Sequence, residues 1–219
     1  VVKKGTYMIN ELRMYTTRPG KMMHVVNASA TVAQKIRNGD TYGKLIGHWS
    51  SDIGRKNQYV HMWEYSDVEE MRKLRSELAS KEEWKNEFVP LVGPYILTQE
   101  IRLLRPLTKI KQSKLESNIY ELKIIKLNIG QAIKWKNNFL DIVSGLEGES
   151  LNIGLWNTEL QDPNEIISIW SHPNVESISN YWYNLEKNKE WINFNSYQEN
   201  AVKYEESVIL RPSVCSPLQ

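Results

Sequence analysis

From Tyr7 to Tyr15 the chain alternates, with Tyr7, Ile9, Glu11, Arg13 and Tyr15 on one side and Met8, Asn10, Leu12 and Met14 on the other. A period of two belongs to a strand, here one with a polar-aromatic face. The period then lengthens. After Thr16-Thr17-Arg18-Pro19-Gly20, apolar residues at Met22, Val25, Val26, Val32, Ala33 and Ile36 take the spacing of an amphipathic helix, which ends near Asn38-Gly39. Two runs rich in aromatic and β-branched residues follow, near Lys44 to Ser51 and Gln58 to Tyr65. Joined by Asp52-Ile53-Gly54-Arg55-Lys56-Asn57, they predict a β-hairpin. Ser66-Asp67-Val68-Glu69 offers a capping box for a second helix, whose stripe of Val68, Met71, Leu74 and Leu78 continues irregularly through Trp84 and Phe88. Pro90 and Pro94 end it, and Leu97 to Leu104 reads as a fourth strand.

The same programme then repeats. Ile119-Tyr120-Glu121-Leu122-Lys123 matches Ile9-Asn10-Glu11-Leu12-Arg13 at an offset of 110. Trp156, Trp170 and Trp191 match Trp49, Trp63 and Trp84 at 107, and Leu210-Arg211-Pro212 matches Leu104-Arg105-Pro106 at 106. Three tryptophans in one frame mark an internal duplication, and the small changes of offset mark short insertions and deletions in loops. The expected division is residues 1–107 and 119–219, with the polar, lysine-rich stretch 108–118 as linker. Each half predicts a ferredoxin-like α+β unit, a four-stranded antiparallel sheet with both helices on one face. A bare second face carrying Trp49, Trp63 and Tyr65 would leave large apolar area in water. The two sheets are therefore expected to stack as an α+β barrel within one chain.

Composition narrows the function classes. With 41% hydrophobic and 25% charged residues the chain has the make-up of a soluble globular protein. No apolar run approaches the roughly 18 residues of a membrane-spanning helix. A net charge of +2 gives no basic footprint for nucleic acid, and the basic-aromatic strand motif of RNA-recognition domains is missing. The one cysteine, Cys215, allows no internal disulfide. The sequence opens on Val1-Val2-Lys3-Lys4 without an initiator methionine, which suits either a processed import signal or a boundary within a longer chain, and no targeting segment is visible within it. The four histidines lack metal-ligand spacing, and neither a phosphate-cradling loop nor a nucleophile elbow occurs.

Candidate chemistry gathers in the first half. If β alternation turns the odd residues of the first strand inward, Glu11, Arg13 and Tyr15 line the barrel, joined by Trp49, Tyr59, His61 and Trp63. Such a cavity suits a flat or anionic small molecule, with His61 or Glu11 exchanging protons. The same residues also make a structural ion pair, Glu11 with Arg13, beside a satisfied histidine. The second half has Lys123 and Ser168 where the first has Arg13 and His61, and it keeps the tryptophans. Chemistry is therefore expected in the first half alone. No cofactor is required by these residues; His61 as a haem ligand is conceivable but has no attachment motif.

Glu11-Leu12-Arg13-Met14-Tyr15, Gly43-Lys44-Leu45-Ile46-Gly47-His48-Trp49 and Asn57-Gln58-Tyr59-Val60-His61-Met62-Trp63-Glu64-Tyr65, in that order, resemble the signature of the NIPSNAP family. The resemblance spans nearly the whole chain and is clearer in the first half. It implies a dimeric α+β barrel fold, a mitochondrial location and no established catalysis. It also implies work through protein partners, in mitochondrial quality control or in vesicle and membrane traffic, with homo-oligomers and peripheral membrane contact among the expectations. Fold relatives include haem-binding enzymes and cofactor-independent oxygenases, so the alternative expectation is a small-molecule-binding or oxygenase-like protein using the first-half cavity.

Overall fold

The computed structural model describes residues 8–113 and 118–219. Val1 to Lys4, Tyr7 and residues 114–117 of the expected linker lie outside the described residues. The chain forms two compact units; one runs to Arg105 and takes in Arg211–Gln219, and the other spans Pro106–Leu210.

The first unit contains β1 (Ile9–Thr17), α1 (residues 22–37), β2 (Lys44–Ile53), β3 (Gln58–Tyr65), α2 (Val68–Ser80), α3 (residues 84–92) and β4 (Ile96–Pro106). β1 pairs antiparallel with both β3 and β4, and β2 with β3, giving the order β4-β1-β3-β2. In the second unit come β5 (Ile119–Leu127), α4 (Ala132–Leu146), β6 (Leu151–Leu160), β7 (Glu165–His172), α5 (Val175–Leu185), α6 (Lys189–Ala201) and β8 (Val202–Pro212). Its strands run antiparallel in the order β8-β5-β7-β6. The fold is thus α+β, with the element order of the first unit repeated in the second. The capping box of α2 forms one residue later than the sequence suggests: the Asp67 side chain accepts from Glu70 N at 2.8 Å, and Glu70 Oε2 accepts from Ser66 N at 2.6 Å.

The faces of the first sheet differ from expectation. Trp63 and Tyr65 lie under the unit's own helices, in a core cluster with Ile9, Leu45 and Leu103 from the sheet and Met71 from α2. Tyr59 packs beside them with Val25, Val26 and Ala33 of α1 and Phe88 and Val92 of α3. Trp49 alone of the three residues assigned to the bare face is found there. The cause is a β-bulge in β2: Leu45 pairs with Trp63 but Gly47 pairs with Met62, so the alternation flips at Ile46. Beyond the bulge His48 shares the face of His61, while Trp49 shares that of Val60, Met62 and Met14. Gly47 is required beside it, because a Cβ there would sit 1.9 Å from the Trp49 ring.

Two segments assigned to the linker or to the second half behave otherwise. Residues 107–111 run along β6, with Leu107 N donating to Leu155 O and Lys111 N to Ile153 O, both at 2.8 Å. Residues 211–219 fold into the first unit, where Ser213 N donates to His48 O at 2.9 Å and His48 N to Ser216 Oγ at 3.1 Å.

Candidate functional site

Register builds the site. Across β1 and β3, Arg13 stands opposite His61, Tyr15 opposite Tyr59 and Glu11 opposite Trp63, and directly opposed residues share a face. Above them α1 places Val25, Ser29, Ala33 and Arg37 at four-residue steps. A regular helix would drift off the sheet at that spacing, but α1 contains a π turn over Ser29–Ala33, which underwinds it and keeps these side chains facing down. Trp84, Phe88 and Val92 of α3 close the remaining wall. Between sheet and helices lies a cavity of about 90 Å³, lined by Arg13, Tyr15, Tyr59, His61 and Trp63 among the sheet residues.

Of the seven residues picked out by sequence, these five meet at the cavity and two do not. Glu11 sits behind it, 1% exposed, its Oε1 paired with Arg13 Nη2 at 3.0 Å and Arg75 Nη1 at 2.8 Å. Trp49 is on the opposite face, for the reason given by the bulge. The cavity itself lies between the sheet and its own helices, so the expectation that these side chains point away from the helices is corrected.

The polar groups are closely organised. The Trp63 indole donates to His61 Nδ1. An indole N–H can only donate, so Nδ1 is the acceptor and the neutral ring carries its proton on Nε2. Tyr59 and Tyr15 both stack on this imidazole, at 4.9 and 5.5 Å between ring centroids. Tyr59 OH lies 2.5 Å from Ser29 Oγ, which lies 3.1 Å from His48 Nε2; His48 Nδ1 in turn meets Ser213 Oγ at 2.6 Å. A hydrogen-bonded chain therefore runs from the cavity wall to the C-terminal segment.

Burial and the nearby arginines set the protonation states. Burial, with the charge of Arg37, lowers His48 to about 4. Burial also lowers His61 well below its ordinary value, with Arg13, His48 and Arg37 adding to the effect. Both rings are neutral at pH 7. Burial raises the Tyr59 hydroxyl well above the ordinary tyrosine value, so it stays protonated. Burial opposes the charge on Arg13, but Tyr15 and Glu11 outweigh it and hold the guanidinium firmly protonated. For Arg37, burial prevails and its pKa is lowered.

Sequence reasoning missed Ser29, Arg37, His48 and Trp84. One signal was present: an arginine at the end of the 25-29-33-37 stripe, where a buried helix face ordinarily carries an apolar residue. The second unit lacks this arrangement. At the 110 offset Val25 and Ser29 become Trp135 and Phe139, whose rings stack at 5.0 Å, and the space left is about 20 Å³. Lys123, in the place of Arg13, pairs with Glu205 at 2.7 Å and lies 3.7 Å from the Trp182 ring. Among the described residues no group of three His, Cys, Asp or Glu side chains could hold a metal ion, and no helix is long and apolar enough to cross a membrane.

A family model described as NIPSNAP matches residues 10–110 and again 120–217. The human protein NipSnap homolog 3B is 23% identical over 220 residues, covering 98% of this chain and 87% of its own length. Its mouse counterpart is 26% identical over 178 residues, covering 79% and 70%. Among solved structures, a Lactobacillus acidophilus NCFM protein superposes with a TM-score of 0.67 at 13% identity, over 94% of each chain. An anthrone oxidase-like protein superposes with a TM-score of 0.67 at 10% identity, over 94% of this chain and 92% of its own. At these identities the two structures speak to the fold.

Proposed function

The chain belongs to the NIPSNAP family, and from that premise we propose that it is a small-molecule-binding protein whose ligand site is the cavity of the first unit. One observation carries the reading. A duplicated chain holds about 90 Å³ open in one unit and fills the equivalent place in the other with Trp135 and Phe139. The second unit supplies, within the same polypeptide, side chains that fill this place. Their absence from the first unit supports a space kept for a ligand. Its volume suits a compact molecule rather than a porphyrin.

Screening a fragment set by thermal shift and by NMR of the tryptophan side chains tests the proposal. Hits should perturb Trp63 and Trp84 and should vanish in Val25→Trp, which copies the filled unit. Hits that act on Trp182 and Trp191 instead, or that persist in a folded Val25→Trp variant, would remove it. A second reading draws on the family match across both halves: a mitochondrial protein acting through protein partners in quality control or vesicle and membrane traffic. Fractionation with cross-linking in cells would test that reading; a protein found away from mitochondria would end it.

A further inference from the structure

The chemistry of the walls goes beyond the existence of a site. Arg37 is 8% exposed, and its guanidinium carbon lies 3.7 Å from the Trp63 ring centroid and 5.5 Å from that of Trp84. Nη1 donates to Tyr42 O at 3.0 Å. Nε and Nη2 have no hydrogen-bond partner among the described residues, and no carboxylate among them comes within 4.0 Å of the group. A guanidinium cannot shed its charge by losing a proton, and buried charges are ordinarily paired. Here the cavity occupies the place of a partner. Its lining holds two arginines, Arg13 and Arg37, and no acidic residue, since Glu11 sits behind Arg13.

A third donor faces the same space. The Trp63 indole occupies His61 Nδ1, so the ring's N–H is on Nε2, which has no partner among the described residues. The hydroxyls of Tyr15, Ser29 and Tyr59 in the wall already bond to other protein groups, and Val25, Ala33, Phe88 and Val92 make an apolar stretch. Resting on the reading that this cavity is a ligand site, we propose that its ligand is a short-chain organic carboxylate. The carboxyl group pairs with Arg37 and accepts from His61 Nε2–H, and the alkyl part lies against Phe88 and Val92. The size agrees. A cavity of about 150 Å³ takes up benzene, so 90 Å³ holds on the order of four non-hydrogen atoms, the scale of acetate. Inorganic anions would leave the apolar wall unused.

The test uses isothermal titration of the whole chain at neutral pH and fixed ionic strength, with acetate, propionate and pyruvate set against acetamide and propionamide. The acids should bind saturably and the amides at least about tenfold more weakly, the difference between a charge-assisted and a neutral hydrogen bond. Arg37→Gln should weaken acid binding by about tenfold or more on the same grounds, whereas Lys123→Gln in the second unit should leave it unchanged. Should Arg37→Gln fail to fold, transferred NOEs from carbon-13-labelled acetate to Trp63 and Phe88 in the unaltered chain decide the matter. Amides that bind as well as acids, or acid binding indifferent to Arg37→Gln, would overturn the carboxylate while leaving the ligand site standing. No binding by any acid, together with fragment hits at Trp63, would do the same; no binding and no hits would remove both.

Discussion

At the scale of single residues, the site depends on neutral imidazoles held among fixed cations. His48 has a folded pKa of about 4 against an ordinary 6.5, and His61 is lowered too. Between those values the unfolded chain binds protons that the folded chain refuses. Stability therefore rises with pH through this window and is lost as pH falls through it. Each ring contributes a slope of about 1.4 kcal/mol per pH unit, and His48 about 3 kcal/mol in all, with full stability above pH 6.5. Urea unfolding at a series of pH values should show the decline below 6.5, and His48→Asn should flatten the slope by about one proton's worth. A stability unchanged from pH 7 to 4.5 would contradict the burial described for both rings. Of the two rings, His61 was legible as a site residue from alternation on β3, and His48 was not. The surroundings of His61 were not legible either, because His48 comes beside it through a bulge and Arg37 reaches the cavity through a π turn, both of which period counting passes over.

At the scale of elements, the bulge in β2 decides which of its side chains share the helix-covered face of the sheet, placing His48 there and Trp49 on the other. Gly47 and Trp49 are two apart and on one face, and the far edge of the indole lies over the glycine's backbone. The pair recurs as Gly154 and Trp156, where an added Cβ would come within 2.4 Å of the ring. Gly47→Ala should destabilise the chain by about 3 kcal/mol, through overpacking with no room for relief. Trp49→Phe shortens the ring by the edge in question. The two substitutions combined should therefore cost less than their sum in a urea double-mutant cycle. Strict additivity would mean that the ring does not hold the glycine in place. The sequence shows this pair as a glycine beside a tryptophan, and close backbone approach is the reading it supports. What strict alternation hides is the extra residue at Ile46, since a bulge leaves no mark on the hydrophobic pattern of a strand buried on both faces.

At the scale of the whole molecule, duplication was legible because tryptophans are rare and keep their frame. The fate of the ends of each half was not. Residues 107–111 carry no periodicity yet join β6 by backbone hydrogen bonds, which side-chain patterns do not report. Residues 213–219 look like a Ser/Pro-rich tail, yet Leu218 is 1% exposed, and Cys215 packs on the cluster of Ile9, Leu45 and Trp63. Truncation after Pro212 should lower the first unit's stability by at least about 2 kcal/mol from Leu218 alone. It should also weaken ligand binding, because His48 loses Ser213 and Ser216 together. Urea unfolding followed by tryptophan fluorescence measures the first effect; an unchanged midpoint would show that the segment is a passive appendage.

The placement of residues 211–219 bears on how the protein is made. A ribosome delivers the first unit's sheet and helices early, but the strand that holds His48 meets its last partners only after another hundred or so residues have been translated. The half that keeps the open cavity is begun before the other half and finished after it. Until then the seat of Leu218 stays open, so a nascent chain stalled within the second unit carries an immature pocket that completes only once residues 211–219 have emerged.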